Sequence, residues 1–310
     1  MSNDKSLSIV IASFSSIDHL QRCLKSLQIS DVTAEIIVST CLSEKKMQAV
    51  QQHFDIQVVF NPDEQDLDSI RLRETRVFRL RSAGVKVATG DVIMMLEDHC
   101  EVGATWLPAM CDALKNKTCL AGGPIANGAS KSLFHWALYW SEYAAMMPPM
   151  PNDQVTYLSA VNSAYYKSEL DACKSVWQGG FYDNEVHDAL IKKGAKLCLA
   201  KNAIVTTRLP FTFKQAFVHL FTGGLRYGAY RGGGHWSMSR FMRLFTTLLV
   251  PAVLSTRVLK YVRSRQPQSL TTFLLSFPIL YVLLTAWGVG ELVGTLSGTP
   301  TAKFGEANIE

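Results

Sequence analysis

Residues 81–107 read RSAGVKVATGDVIMMLEDHCEVGATWL, and the fold follows from how that stretch changes character. It begins as the tail of a helix, turns at Thr89-Gly90-Asp91 and becomes the apolar strand VIMML. The strand runs straight into Glu97, Asp98 and His99, three side chains able to hold a proton or a metal ion. Side chains alternate along an extended segment, so Glu97 and His99 point one way and Asp98 the other. Two ligands on one edge suit a divalent ion that shares its other positions with a substrate phosphate. The alternative is a solvated strand end with an incidental acid pair.

Upstream, LSIVIA (7–12), EIIVS (35–39) and IQVVF (56–60) are three more short, β-rich runs. Such runs, apolar on both faces, mark strands of a parallel sheet covered by helices on both sides. Between them lie helical patterns: Ile17, Leu20, Leu24 and Leu27 recur at helical spacing, 44–53 forms a second helix and 70–88 a third. Strand and helix alternating at this rhythm predict an α/β fold with right-handed crossovers. Ligands of such folds bind beyond the carboxyl ends of the strands, where Glu97–His99 fall.

The chain of 310 residues, 48% apolar and 18% charged, is globular and not disordered. Seven scattered cysteines with no CxxC pair point to reduced thiols in a cytoplasmic compartment and away from structural zinc. The first apolar run is too short for a signal peptide, so the catalytic part is expected to stay where it is made. Residues 270–290 are 21 consecutive uncharged residues, long enough to cross a bilayer, with Tyr281 and Trp287 as interfacial candidates. Leu244–Thr256 is a shorter run suited to the interface. Arg240, Arg243, Arg257, Lys260, Arg263 and Arg265 have no acid among them and place that side in the cytoplasm. The expected partner is therefore a membrane and not a nucleic acid; a pair of buried helices in a soluble oligomer is the alternative.

The 81–107 stretch resembles the core signature of the family-2 glycosyltransferases of the bacterial, membrane-associated type. Arg81 and Gly84, Gly90 and Asp91, Glu97-Asp98-His99 and Trp106-Leu107 stand at the family's matching places. LSIVIASFSSIDHLQRCLKSL (7–27), GGP (122–124), SAVNSAYYKSEL (159–170) and GGFYDNEVHDALIKKGAKL (179–197) resemble further blocks in the family's order. The resemblance implies an A-type fold, a mostly parallel Rossmann-like sheet, and inverting transfer of a sugar from a nucleotide-diphosphate sugar to a hydroxyl acceptor. A UDP-sugar is the favoured donor, and a lipid-linked or polysaccharide-precursor acceptor is expected. It also implies a donor site of Ala12, Ser13, Phe14, Ser39, Arg81, Glu97 and Asp98, and an acceptor side of Asn162, Gly180 and Phe181. Asp183 matches the family's base, with Glu185 in reserve; helix capping is the plain alternative for Asp183.

Two departures stand out. The second strand ends in Ser39, Thr40 and Cys41 where the family carries an aspartate that reads the base. Glu97-Asp98-His99 replaces Asp-x-Asp, and the softer imidazole shifts the expected ion, Mn²⁺ or Mg²⁺, toward Mn²⁺. FTGGLRYGAYRGGGHW (221–236) reads either as a glycine loop whose Arg226 and Arg231 clamp a diphosphate or as a flexible connector. The aromatic set in 134–143 fits a core or a membrane face better than a sugar platform. The expected division is a catalytic domain at 1–235, its nucleotide half about 1–105 and its acceptor half about 106–235, then a membrane-associated region at 236–310. Two rivals stay open: a nucleotidyltransferase on a related fold, and a catalytically degenerate, nucleotide-binding membrane scaffold.

Overall fold

The computed structural model describes residues 6–29, 34–61, 70–115, 119–129, 131–151, 155–232, 247 and 249–297. Arg240, Arg243 and residues 244–246 and 248 of the 244–256 run lie outside the described residues. Two compact units emerge: Met1–Gly128 with Pro148–Arg208, and Ala129–Met147 with Leu209–Glu310.

The first unit is an α/β layer. Its early elements alternate: β1 (Leu7–Ser13), α1 (Ile17–Ile29), β2 (Glu35–Thr40), α2 (Glu44–Gln51), β3 (Gln57–Phe60), α3 (Ile70–Val87) and β4 (Val92–Glu97). After β5 (Cys100–Val102) and α4 (Trp106–Ala113) come β6 (Cys119–Gly122) and β7 (Ile125–Asn127). The second unit's α5 (Leu133–Tyr143) intervenes before β8 (Ser163–Tyr166), α6 (Lys167–Ala172), α7 (Lys174–Trp177), α8 (Asp183–Lys192), β9 (Lys196–Leu199) and β10 (Val205–Thr207). Seven strands form one sheet in the order β3-β2-β1-β4-β8-β6-β9, and β5-β10-β7 form a small second sheet. The first four pair in parallel, as their apolar sequences predict. β8 is inserted antiparallel between β4 and β6.

One core cluster joins Val10, Ile37, Ile93 and Met95 of the sheet to Val85 of α3, Trp177, Phe181 and Leu190. Full burial of such side chains contributes about 1.5–3 kcal/mol each. α3 lies close on β1 because Gly84 has no side chain; a Cβ there would meet Val10 Cγ1 at 2.3 Å. Glu35 ties β2 to β1 and to the turn ahead of β4, accepting hydrogen bonds from Ser8, from Thr89 N at 2.9 Å and from Thr89 Oγ1 at 3.0 Å. Its burial opposes ionisation, but these donors outweigh that and hold the carboxyl below its ordinary value.

The second unit is helical: α5, α9 (Phe213–Gly232), α10 (Val250–Arg265) and α11 (Leu270–Ser297). The glycines of 223–228 do not form a closing loop. They lie within α9 and let it meet α11 backbone to backbone, despite their poor helix propensity. A Cβ on Gly228 would stand 2.1 Å from Glu291 O, and one on Gly294 would stand 1.9 Å from Leu225 O. Such small-residue seams are the usual packing of membrane helices. Arg231 of α9 pairs with Glu291 of α11 at 3.7 Å and lies over the Tyr227 ring. Trp287, expected at a membrane interface, instead packs at Gly223 and against Tyr227. Trp140 of the aromatic set is buried against Phe273. Pro267–Ser297 is, by length and composition, apolar enough to cross a membrane.

Cys23, Cys41, Cys100, Cys111 and Cys173 are free thiols. Cys198 is disulfide-bonded, which departs from the expectation of reduced cysteines throughout.

Candidate functional site

β4 delivers Glu97 to the carboxyl edge of the sheet, and the 98–99 turn leads into β5. All three side chains of the cluster are buried: Glu97 is 5% exposed, Asp98 0% and His99 3%. Their roles separate by hydrogen bonding. Asp98 Oδ2 accepts from Phe14 N at 2.9 Å, Ser15 N at 2.8 Å and Ser13 Oγ at 3.2 Å, while Oδ1 accepts from Ser15 Oγ at 2.7 Å. That carboxylate is saturated and fixes the loop after β1. Glu97 Oε1 pairs with the buried Arg81 guanidinium from α3. Burial pulls the Arg81 guanidinium down, but Glu97 and then Asp183 outweigh it and raise it above its ordinary value.

His99 is the anomaly. Neither of its ring nitrogens makes a hydrogen bond, although both are buried. Nε2 faces Glu97 Oε2 at 3.5 Å and Nδ1 faces Asp98 Oδ1 at 3.6 Å. Buried polar atoms are rarely left unsatisfied without a functional reason. The remaining oxygen of Glu97 and Nε2 of His99 therefore form a two-donor set suited to a divalent ion. No group of three or more such ligands occurs among the described residues.

The antiparallel β8 brings the other half of the site. Met95 is paired with Ser163, so the residues preceding β8 run alongside the end of β4. Asp183, the first residue of α8, is held there: Oδ2 accepts from Ala160 N at 3.2 Å and Tyr157 Oη at 3.4 Å, and Oδ1 from Asn184 N at 3.1 Å. A carboxylate in the first turn of a helix is stabilised by the axial dipole. Tyr182 stacks on Phe78 with ring centroids 4.4 Å apart, and Arg81 lies 5.6 Å from the Phe78 centroid. Arg81, Glu97, His99 and Asp183 thus lie near one another at one edge of the sheet. Glu185 is half-buried in the first turn of α8.

Other expected contacts are placed differently. Asn162 is 1% exposed and knotted internally: it accepts from Trp106 Nε1 at 2.8 Å and donates to Pro124 O at 3.0 Å and Ala203 O at 2.7 Å. Phe181 is fully buried between Tyr165 and Trp177, and Gly180 is buried against Tyr182. These three residues build the site's wall and offer no surface to an acceptor. Ala12, Ser13 and Ser39 are also fully buried, while the Phe14 and His99 rings meet edge to face with centroids 6.1 Å apart. Arg226 and Arg231 lie on α9, in the second unit. Tyr157 and Ser15 join the site without any signal of spacing or motif in the sequence.

Behind Asp183 runs a buried chain in which Ser163 Oγ donates to Tyr165 Oη at 2.9 Å, which in turn meets His187 Nε2 at 2.8 Å. Burial pushes His187 down to about 4, against the opposing pull of Asp183. Between that value and the ordinary 6.5, the unfolded chain binds a proton that the folded protein refuses. Stability should then rise with pH through this window, and acidification across it should cost about 3 kcal/mol. Urea unfolding of the wild type and of His187→Gln at both ends of the window checks this. Equal acid slopes for the two would remove His187 as the cause.

The model of Glycosyl transferase family 2 matches residues 8–172, more than half of the chain. Over 151 residues the chain is 25% identical to N-acetylgalactosaminyltransferase 4 of Drosophila melanogaster, covering 44% of this chain and 22% of that protein. Over 90 residues it is 31% identical to polypeptide N-acetylgalactosaminyltransferase 10 of Homo sapiens, covering 23% of this chain and 15% of the human one. Among solved structures, S. aureus TarS 1–349 in complex with UDP aligns over 92% of this chain and 90% of that one, with 9% identity and a TM-score of 0.45. The chain belongs to glycosyl transferase family 2, and the site lies on its A-type α/β sheet.

Proposed function

We propose that this protein transfers a sugar, with inversion at the anomeric carbon, from a nucleoside-diphosphate sugar to a hydroxyl acceptor at a membrane. The observation that carries the reading is the buried His99 imidazole, without a hydrogen bond among the described residues, facing Glu97 Oε2 at the end of β4. Glu97 and His99 would hold a divalent ion, Mn²⁺ in preference to Mg²⁺, whose chemistry is to offset the charge of the leaving diphosphate. Arg81 fixes Glu97 by its other oxygen, so the ligand is preorganised. Asp183 Oδ2 would take the proton from the acceptor hydroxyl as its oxygen attacks the anomeric carbon and the bond to the diphosphate breaks. A single displacement of this kind inverts the configuration. Phe14 and Ser15, locked by Asp98, bound the donor side; Tyr157 and Tyr182 bound the acceptor side.

The favoured donor is a UDP-sugar. N-acetylgalactosamine is the first sugar to try, because two relatives are named for its transfer. In this reading residues 1–235 form the catalytic part on the cytoplasmic side, and 236–310 attach it to the membrane. The acceptor is lipid-linked or a polysaccharide precursor.

Calorimetry of UDP binding to the full chain in detergent, with and without Mn²⁺, tests the site. Metal-dependent binding should weaken by at least ~10- to 100-fold in both Glu97→Ala and His99→Ala. Binding that ignores Mn²⁺, or survives both substitutions, would overturn the metal assignment.

A further inference from the structure

α10 has two unlike faces. Pro251, Ser255, Val258 and Val262 are buried, one above another at helical spacing. On the opposite face Val253, Thr256, Arg257, Lys260, Arg263 and Ser264 are exposed. That face opens apolar, with Leu249 60% and Val253 42% exposed, and then becomes cationic. Thr256, Leu259, Lys260, Arg263 and Ser264 line a shallow groove of about 440 Å³ along it.

Arg257, Lys260 and Arg263 recur at three-residue spacing, and residues 240–265 contain no acid. None of the three forms an ion pair or hydrogen bond with another described residue. Like charges at this spacing repel on a helix, so the row weakens α10 unless an anion lies against it. Arg265 shows the contrast. It turns inward, donating to Ala145 O at 2.9 Å and Met147 O at 3.0 Å over the Tyr261 ring.

The element that follows supplies the setting. α11 begins five residues after α10 ends and exposes Leu274 and Leu275, 62% and 61% accessible. A row of cations beside an apolar helix complements a surface of lipid phosphates. We propose that the exposed face of α10 lies on an anionic bilayer surface, with Arg257, Lys260 and Arg263 contacting lipid phosphates. The proposal rests on the membrane reading above and adds a lipid class to it. Nucleic acid is the rival partner for a cationic row, but the exposed apolar residues on the same face favour lipid.

The test is co-flotation of the full chain, diluted from detergent, with two kinds of vesicle. One is phosphatidylcholine alone; the other contains about 30% phosphatidylglycerol. The wild type should partition onto the anionic vesicles about a hundred-fold better at low salt. The Arg257→Gln/Lys260→Gln/Arg263→Gln variant should keep its binding to phosphatidylcholine and lose that preference. Its thermal unfolding should be unchanged or raised, because repulsion has been removed. A preference retained by the triple variant, or absent from the wild type, overturns the proposal. Binding of a short DNA duplex that the triple variant loses, with no vesicle preference, would assign the row to nucleic acid. Failure to float with either vesicle would instead remove the membrane reading itself.

Discussion

Asp183→Asn should lower turnover by about 10²- to 10⁴-fold, the usual worth of a general base. The amide is nearly isosteric, so its oxygen can still accept from Ala160 N and Tyr157 Oη, and α8 should start at the same place. What it loses is the ability to take the acceptor's proton. UDP affinity should stay within a few-fold of wild type, which separates lost chemistry from lost binding. Single-turnover rates and calorimetry on the same preparations read both quantities. A fall of less than about ten-fold would move the base elsewhere, and Glu185→Gln would be measured next.

Arg81→Met should cost about 3–5 kcal/mol of stability, because it leaves the Glu97 carboxylate buried without its cation. Methionine fills much of the same volume, so little of that loss would come from a cavity. Adding Glu97→Gln should restore a large part of the stability by removing the orphaned charge. The pair is therefore tested by denaturant midpoints of the two variants against wild type. A single variant within about 1 kcal/mol of wild type would show that Arg81 is not needed to bury Glu97.

Much of the first hundred residues was legible because β1 and β4, buried on both faces, read as plain apolar runs. LSIVIA became β1 and VIMML became β4 to within a residue or so. The cluster at the end of β4 was legible for the same reason, since polar residues at a buried strand end have no place in a core. Legibility failed where tertiary contacts outweigh local pattern. The glycines of 223–228 look like a loop one at a time, and only the surface of α11 explains why they are helical. Asn162 and Phe181 sit in blocks that resemble an acceptor side, but a polar amide gives no hint in sequence that its partners are Pro124 O and Ala203 O. The reversed direction of β8 was equally hidden, because SAYY has no feature that distinguishes an antiparallel strand from a parallel one.

That reversal has a consequence for how such a protein can change over generations. In the parallel strands the chain leaves the sheet at the reactive edge, and every departing loop is tied to a crossover that must return. At β8 the chain arrives at that edge instead, so the stretch ahead of Ser163 closes no parallel crossover. Insertions or deletions there would leave the spacing of Arg81, Glu97 and His99 untouched. Under the proposed function, variation in the acceptor could therefore accumulate in that stretch while Arg81, Glu97 and His99 keep their places.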